Sequence, residues 1–211
     1  MIGPRFALPR EVTMTGRTDP AVAGVPDWIV EEMPPGYQTR LLEIERLSAD
    51  LQAMDGIGSV LWETGEALRD AVGALFAALK CEVDPAPGDT GGIAVGLNGS
   101  RRLLLVVSGA GSPIQKTNEE LARSFRAVQF AGANDRVVLV VNNNPATPPA
   151  DRPDPVLPDA LGVLQRMGVD VLSTVTLFRL WRLSHDDQQK ARKALDHLHV
   201  QDGGQFLLPS R

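Results

Sequence analysis

Apolar residues recur along this chain first at helical spacing and then at strand spacing. Leu41, Ile44, Leu47, Leu51 and Met54 fall three or four residues apart, with Arg40, Glu43, Glu45, Arg46 and Asp50 among them. That pattern predicts a charged amphipathic helix, closed by Asp55-Gly56-Ile57-Gly58. A second helix is expected over about 60–79, with Leu61, Leu68, Val72, Leu75, Phe76 and Leu79 as its apolar face. Strands follow. Cys81-Glu82-Val83 is short and stopped by Pro85 and Pro87. Two longer runs, 93–97 and 102–107, flank Asn98-Gly99, a hairpin signal because both residues tolerate positive φ. The second of these runs is apolar almost throughout, as is 136–141. Such strands are covered on both faces and belong in the middle of a sheet.

Between and after them the chain alternates. Helix 116–130 carries Leu121, Phe125 and Val128. A polar, proline-rich loop fills 142–158, and a short helix 159–167 precedes a strand at 170–173. The next helix starts at Thr174 as its cap and carries Leu177, Phe178 and Trp181. A polar helix at 186–197 leads through a glycine turn to the strand-like Gln205-Phe206-Leu207-Leu208. Helices, a hairpin, then strand and helix in turn predict an α/β fold, with a mixed central sheet flanked by helices. Ahead of it, residues 1–37 read as a flexible Pro/Gly-rich segment, in which Pro4, Pro9, Pro20, Pro26, Pro34 and Pro35 interrupt any regular element. Residues 38–59 form the amphipathic helix and linker, and 60–211 the α/β domain. The strip Asp27-Trp28-Ile29-Val30-Glu31-Glu32-Met33 either packs back on the domain or anchors a partner.

Composition narrows the classes. A chain of 211 residues, 43% hydrophobic, can bury one substantial core. No run is long and apolar enough to cross a bilayer, and the N-terminus lacks the basic head and apolar stretch of a secretory signal. Cys81 is the single cysteine, which excludes an internal disulfide and fits a cytoplasmic protein. The formal charge of −5 gives no overall attraction to nucleic acid. Two basic groups stand against that total: Arg101, Arg102, Lys116, Arg123, Arg126 and Arg136, and then Arg179, Arg182, Lys190, Arg192 and Lys193.

Particular stretches add a family. Leu61-Trp62-Glu63-Thr64-Gly65-Glu66-Ala67-Leu68 opens the first core helix, and the hairpin follows. Val140-Val141-Asn142 leads to Pro148-Pro149-Ala150-Asp151-Arg152, then Leu157-Pro158-Asp159-Ala160, then Val171-Leu172-Ser173-Thr174 before Leu177-Phe178. In this order and spacing, over about 44–183, the chain resembles the restriction-endonuclease-like, PD-(D/E)XK nuclease superfamily of bacteria. The resemblance implies Mg²⁺ held by an Asp at the start of the second strand and a Glu on the third, with a Lys two residues beyond the Glu. Those positions fall at Gly91, Val106 and Ser108. Valine cannot ligate a hard cation, and serine cannot supply the charge of lysine. Glu66, Asp89 and Lys116 are the candidates for relocated ligands.

Three further constellations were weighed. Gly109-Ala110-Gly111-Ser112-Pro113-Ile114-Gln115-Lys116-Thr117 lies where a phosphate loop would, but Ala110 and Gln115 occupy the required glycine positions. Asp196, His197 and His199, with His185, read as surface polar groups before metal ligands. Asn142-Asn143-Asn144 sits at the end of a central strand, where α/β sheets often place ligands. The expectation is a catalytically inactive pseudoenzyme with no cofactor, acting in protein binding or assembly through a protein partner or oligomerisation. A nucleic-acid-binding pseudonuclease is one alternative. A nuclease with migrated ligands, using Mg²⁺, is the other.

Overall fold

The computed structural model describes residues 32–88 and 91–208. Asp89 and most of the Trp28 strip lie outside the described residues. The chain divides into two compact units, 1–48 and 49–211, with the boundary inside helix α1 (Tyr37–Gly58).

Among the described residues of the second unit, six strands form one sheet in sequential order. They are β1 (Glu82–Pro85), β2 (Ile93–Gly96), β3 (Arg102–Ala110), β4 (Asp135–Asn143), β5 (Asp170–Ser173) and β6 (Gly204–Gln205). The first three pair antiparallel, and β3 to β6 run parallel. The mixed sheet is therefore present, and helices cover both of its faces. Leu103, Leu105, Val107, Val138, Val140 and Leu172 point to one face. There they pack with α2 (Gly65–Ala78), α5 (Thr174–Asp186) and α6 (Gln188–Val200). Leu104, Val106, Val137, Leu139, Val141 and Val171 point to the other, against α3 (Glu119–Phe130) and α4 (Pro158–Arg166). Both sets alternate along the same strands, which is why β3 and β4 read as unbroken apolar runs.

Local chemistry moved several boundaries. The second helix does not start at Val60: a single 3-10 turn, Ser59–Leu61, comes first, and Gly65 turns the chain into α2 at φ +58°. The hairpin loop is longer than two residues, closed by Leu97 N–H donating to Arg101 O at 2.9 Å, and only Gly99 of the pair adopts positive φ. Ser173, not Thr174, caps α5, its Oγ accepting from Thr176 N–H at 3.1 Å. Asp187 caps α6 in the same way, from Lys190 N–H at 2.9 Å.

The sheet has two unlike ends. At one edge, β1 exposes Glu82 and Asp84 and finishes at Pro85. At the other, β6 is two residues long and is entered through Gly203 and Gly204, at φ +80° and +110°. A Cβ on Gly203 would lie 3.0 Å from Gln165 O and 3.1 Å from its Cα. Gly203→Ala combines a left-handed backbone with that clash, so a loss of about 2 kcal/mol or more is expected. Urea unfolding measures it; a variant as stable as the parent would mean that the turn can move off α4.

Candidate functional site

The positions that the nuclease resemblance assigns to catalysis converge where β2 and β3 part. The β2–β3 ladder stops at Ile93↔Leu105. Gly91 lies two residues ahead of β2, and Val106 and Ser108 follow along β3. Gly91 is exposed, with φ +61°. Val106 is 1% exposed, within the layer that holds Leu104, Ile114, Leu121 and Leu139. Ser108 is buried, and its Oγ donates to Glu120 Oε1 at 2.7 Å. One helical turn after Glu120, Arg123 Nη1 donates to Val107 O at 3.3 Å. Helix α3 thus supplies a carboxylate and a guanidinium to the strand that would carry the metal in an active nuclease. The three side chains do not fit a hard divalent cation: one is absent, one is apolar and buried, and one is already bonded.

The relocated candidates have separate neighbours. Glu66 is exposed in the first turn of α2, 3.7 Å from Arg69. Lys116 Nζ lies 3.6 Å from Asp159. Among the described residues, no group of three or more His, Cys, Asp and Glu is placed to hold a metal ion. Sequence reasoning missed Glu120, and no pattern marked it: it reads as an ordinary first-turn acid of a helix.

The glycine-rich stretch after β3 is a fixed connection. Ile114 is fully buried and bridges Val156, with Ile114 N–H donating to Pro155 O and Leu157 N–H to Ile114 O, both at 2.9 Å. Gln115 N–H donates to Asn118 Oδ1 at 2.9 Å, so that amide is turned inward to the chain's own cap. Gly109 is needed for approach: a Cβ there would meet Thr64 Cα at 3.0 Å, just ahead of α2.

The asparagine run is a structural knot. Asn142 is fully buried. Its Nδ2 donates to Glu63 O at 2.9 Å, while its Oδ1 accepts from Thr174 Oγ1 at 3.0 Å and from Arg152 Nη1 at 2.8 Å. Arg152 also donates through Nη2 to Leu61 O at 2.6 Å and through Nε to Thr147 O at 2.8 Å. Burial pushes the Arg152 pKa below its usual value, yet each of its three nitrogens donates to an acceptor. Asn143 Nδ2 donates to Pro153 O at 2.8 Å. The ligand-binding end of the parallel sheet is filled by the chain's own loop 144–157.

The first basic group is largely consumed. Arg101 reaches Asp196 at 2.7 Å, Arg126 reaches Glu119 at 3.9 Å, and Arg136 reaches the fully buried Asp170 at 2.6 Å. Burial pushes the Asp170 carboxyl up, against the pull of Arg136. Arg102 grips Asp135 with both Nε and Nη2, at 2.8 and 2.9 Å. That fork holds the Asp135 carboxyl below its ordinary value, helped by Gly132 N–H. A depressed carboxyl stabilises the fold above its unfolded pKa, and the contribution is lost as pH falls through the folded value. For Asp170 the sign reverses: its raised pKa favours the fold most at acid pH, and that advantage declines as pH rises from the unfolded to the folded value. Carboxyl NMR titration is expected to find Asp135 below the normal range and, in Arg102→Gln, returned toward it. An unchanged titration in the variant would sink the assignment.

His185 lies on α5, and His197 and His199 lie two apart on α6, so the last two do not share a side. His199 Nε2 is 3.0 Å from Asn134 O, and the His197 ring lies beside Phe206 with centroids 6.1 Å apart. Asp196 is taken by Arg101.

What remains open is helical. Among the described residues of α1 none is buried. Leu42, Ile44, Leu47, Leu51 and Met54 are each 45–66% exposed. The apolar and polar residues do not separate cleanly, because Leu42 lies opposite the others and Arg40 falls in line with them. Within the second unit, Met54 lines a groove of about 610 Å³ with Arg179, Trp181, Arg182, His185 and Leu208. The edge of His185 stands on Trp181, with ring centroids 4.8 Å apart. Among the described residues, no helix is long and apolar enough to cross a membrane. No family model, no curated protein and no solved structure matches the chain.

Proposed function

We propose that this chain is a nuclease-fold domain without catalysis, which serves as a protein-interaction or assembly module. One observation carries the reading: α1 runs for 22 residues without a buried side chain and leaves five large apolar residues exposed. Monomeric proteins rarely expose large apolar side chains at such density along one element, and a surface of this kind is ordinarily covered by another chain. The sheet, with helices on both faces, supports the restriction-endonuclease-like assignment. Val106 in the core and Ser108 bonded to Glu120 support the loss of its chemistry.

The test has two arms. The purified chain is offered single- and double-stranded DNA and RNA in Mg²⁺ and in Mn²⁺, beside Glu66→Ala and Asp89→Ala. No cleavage is expected. Metal-dependent cleavage that either variant abolishes would overturn the reading in favour of migrated ligands. In the second arm, a tagged chain is expected to hold a protein, either a partner or a second copy, that Leu51→Glu loses while circular dichroism stays unchanged. Tight, steeply salt-dependent binding of nucleic acid without any protein association would favour a nucleic-acid-binding domain.

A further inference from the structure

The tip of the β2–β3 hairpin carries the atoms of a self-modification. Asn98 is the only asparagine of the chain that precedes a glycine, and both residues are exposed. Gly99 has no Cβ to crowd the approach to its nitrogen, and nothing lies within 4 Å of where one would stand. Among the described residues, neither the Gly99 N–H nor Asn98 Nδ2 has a hydrogen-bond partner. The amide oxygen, by contrast, is held: Arg192 Nη2, from α6, donates to Asn98 Oδ1. Arg101 Nε donates to Asn98 O at 3.4 Å, and Arg101 Nη2 to Asp196 at 2.7 Å, which ties the loop to the same helix.

Nucleophile and leaving group are thus free, and a cation sits on the carbonyl between them. We infer that Asn98 is a deamidation site of this protein, converted through a cyclic imide to aspartate. Gly99 N, giving up its proton to water, attacks Asn98 Cγ within the same chain, so no second molecule has to be positioned. The negative charge of the tetrahedral adduct falls on Oδ1, where the Arg192 guanidinium meets it. Collapse breaks the Cγ–Nδ2 bond, and Nδ2 takes a proton from water and leaves as ammonia. One water then opens the imide. Addition at Cγ gives aspartate with the backbone unchanged; addition at the backbone carbonyl carbon gives isoaspartate, with an extra atom in the main chain. That atom would enter a loop closed by Leu97 N–H on Arg101 O and fastened to α6 by Arg101 and Arg192. Aspartate is therefore the product that the hairpin favours, and its carboxylate arrives beside both guanidiniums.

The full chain is incubated in neutral buffer at physiological temperature, beside the same chain unfolded in urea, and its peptides are followed by mass spectrometry. Conversion of Asn98 is expected in the folded chain, with Asn118 and Asn134 unchanged and aspartate exceeding isoaspartate. Arg192→Met, which keeps the length of the side chain and loses the donor, is expected to convert about fivefold more slowly with unchanged circular dichroism. Asn98→Asp, the finished product, is expected to match the parent's midpoint in urea, since exposed ion pairs change stability little. A folded chain that stays intact while the unfolded chain converts would overturn the inference, as would conversion of neither. An Arg192→Met chain that converts as fast as the parent, or an excess of isoaspartate, would overturn it too, because the dipeptide alone would then account for the reaction.

Discussion

Val106→Glu, which would place a carboxylate on β3 where the nuclease resemblance expects one, is expected to unfold the domain and not to produce cleavage. Val106 is 1% exposed and faces the layer beneath α3 and α4, where its neighbours are aliphatic. A carboxylate there would be stripped of water without a cation beside it. Its proton would be retained and the surrounding packing broken, at a cost of more than about 4 kcal/mol. That is a large share of the roughly 5–15 kcal/mol that holds an ordinary domain together. Ser108→Lys is the informative companion. The new ammonium would replace a hydroxyl that already touches Glu120 Oε1 at 2.7 Å, so it would find a carboxylate within reach and leave the fold largely intact. Denaturation midpoints of the two variants, taken with a cleavage assay, separate the cases. A folded Val106→Glu chain near parental stability would show that the β2–β3 fork is open to solvent, and the catalytic question would return.

Arg152→Ala is expected to remove about 3–5 kcal/mol, the largest effect of any substitution outside the apolar layers. The side chain ties the distant 3-10 turn, at Leu61 O, to the strand end at Asn142 Oδ1 and to its own loop at Thr147 O. Alanine leaves each of these acceptors short of a donor. The fully buried Asn142 keeps only Thr174 Oγ1 as a partner for its oxygen. Arg152→Lys is expected to recover little, since one ammonium cannot span acceptors arranged around a planar fork. A double-mutant cycle with Asn142→Ala should return a coupling well above about 0.5 kcal/mol. A loss under about 1 kcal/mol for Arg152→Ala would mean that the loop is held by Asn143 and the Ile114–Val156 bridge alone.

The contrast between these two positions shows what a single sequence carries. Val106 was legible, because the unbroken apolar run 103–107 can only be a strand covered on both sides, and the bonded partner of Ser108 changes nothing in that reading. The strand at 170–173 and the alternation of strand and helix from Arg102 to Thr174 were legible for the same reason: burial imposes a period. Arg152 belongs to a stretch that carries the family resemblance, yet its role depends on Leu61, which lies 91 residues earlier in the chain. Pairings of that reach leave no local period. Arg101 with Asp196 and Arg136 with Asp170 are of the same kind, and they turned a basic group into internal ion pairs. One helix end was misplaced for another reason: the last helix continues to Val200, three residues beyond the polar run that suggested its end, because Ala191, Ala194, Leu195 and Leu198 give it a buried face. A helix does span Tyr37–Gly58, but the amphipathic face that its spacing predicts is not there: no side chain is buried, and Leu42 and Arg40 break the segregation.

The two ends of the sheet bear on how this chain can join others without harm. A free strand edge invites a foreign strand, and recruitment of that sort easily runs on into fibrous aggregates. Here β1 meets an incomer with two carboxylates and a proline that has no N–H to offer, and β6 is too short to template anything. Lateral growth of the sheet is discouraged at both borders. Any association through helix surfaces therefore stays finite, because neither border of the sheet gives an incoming strand a template.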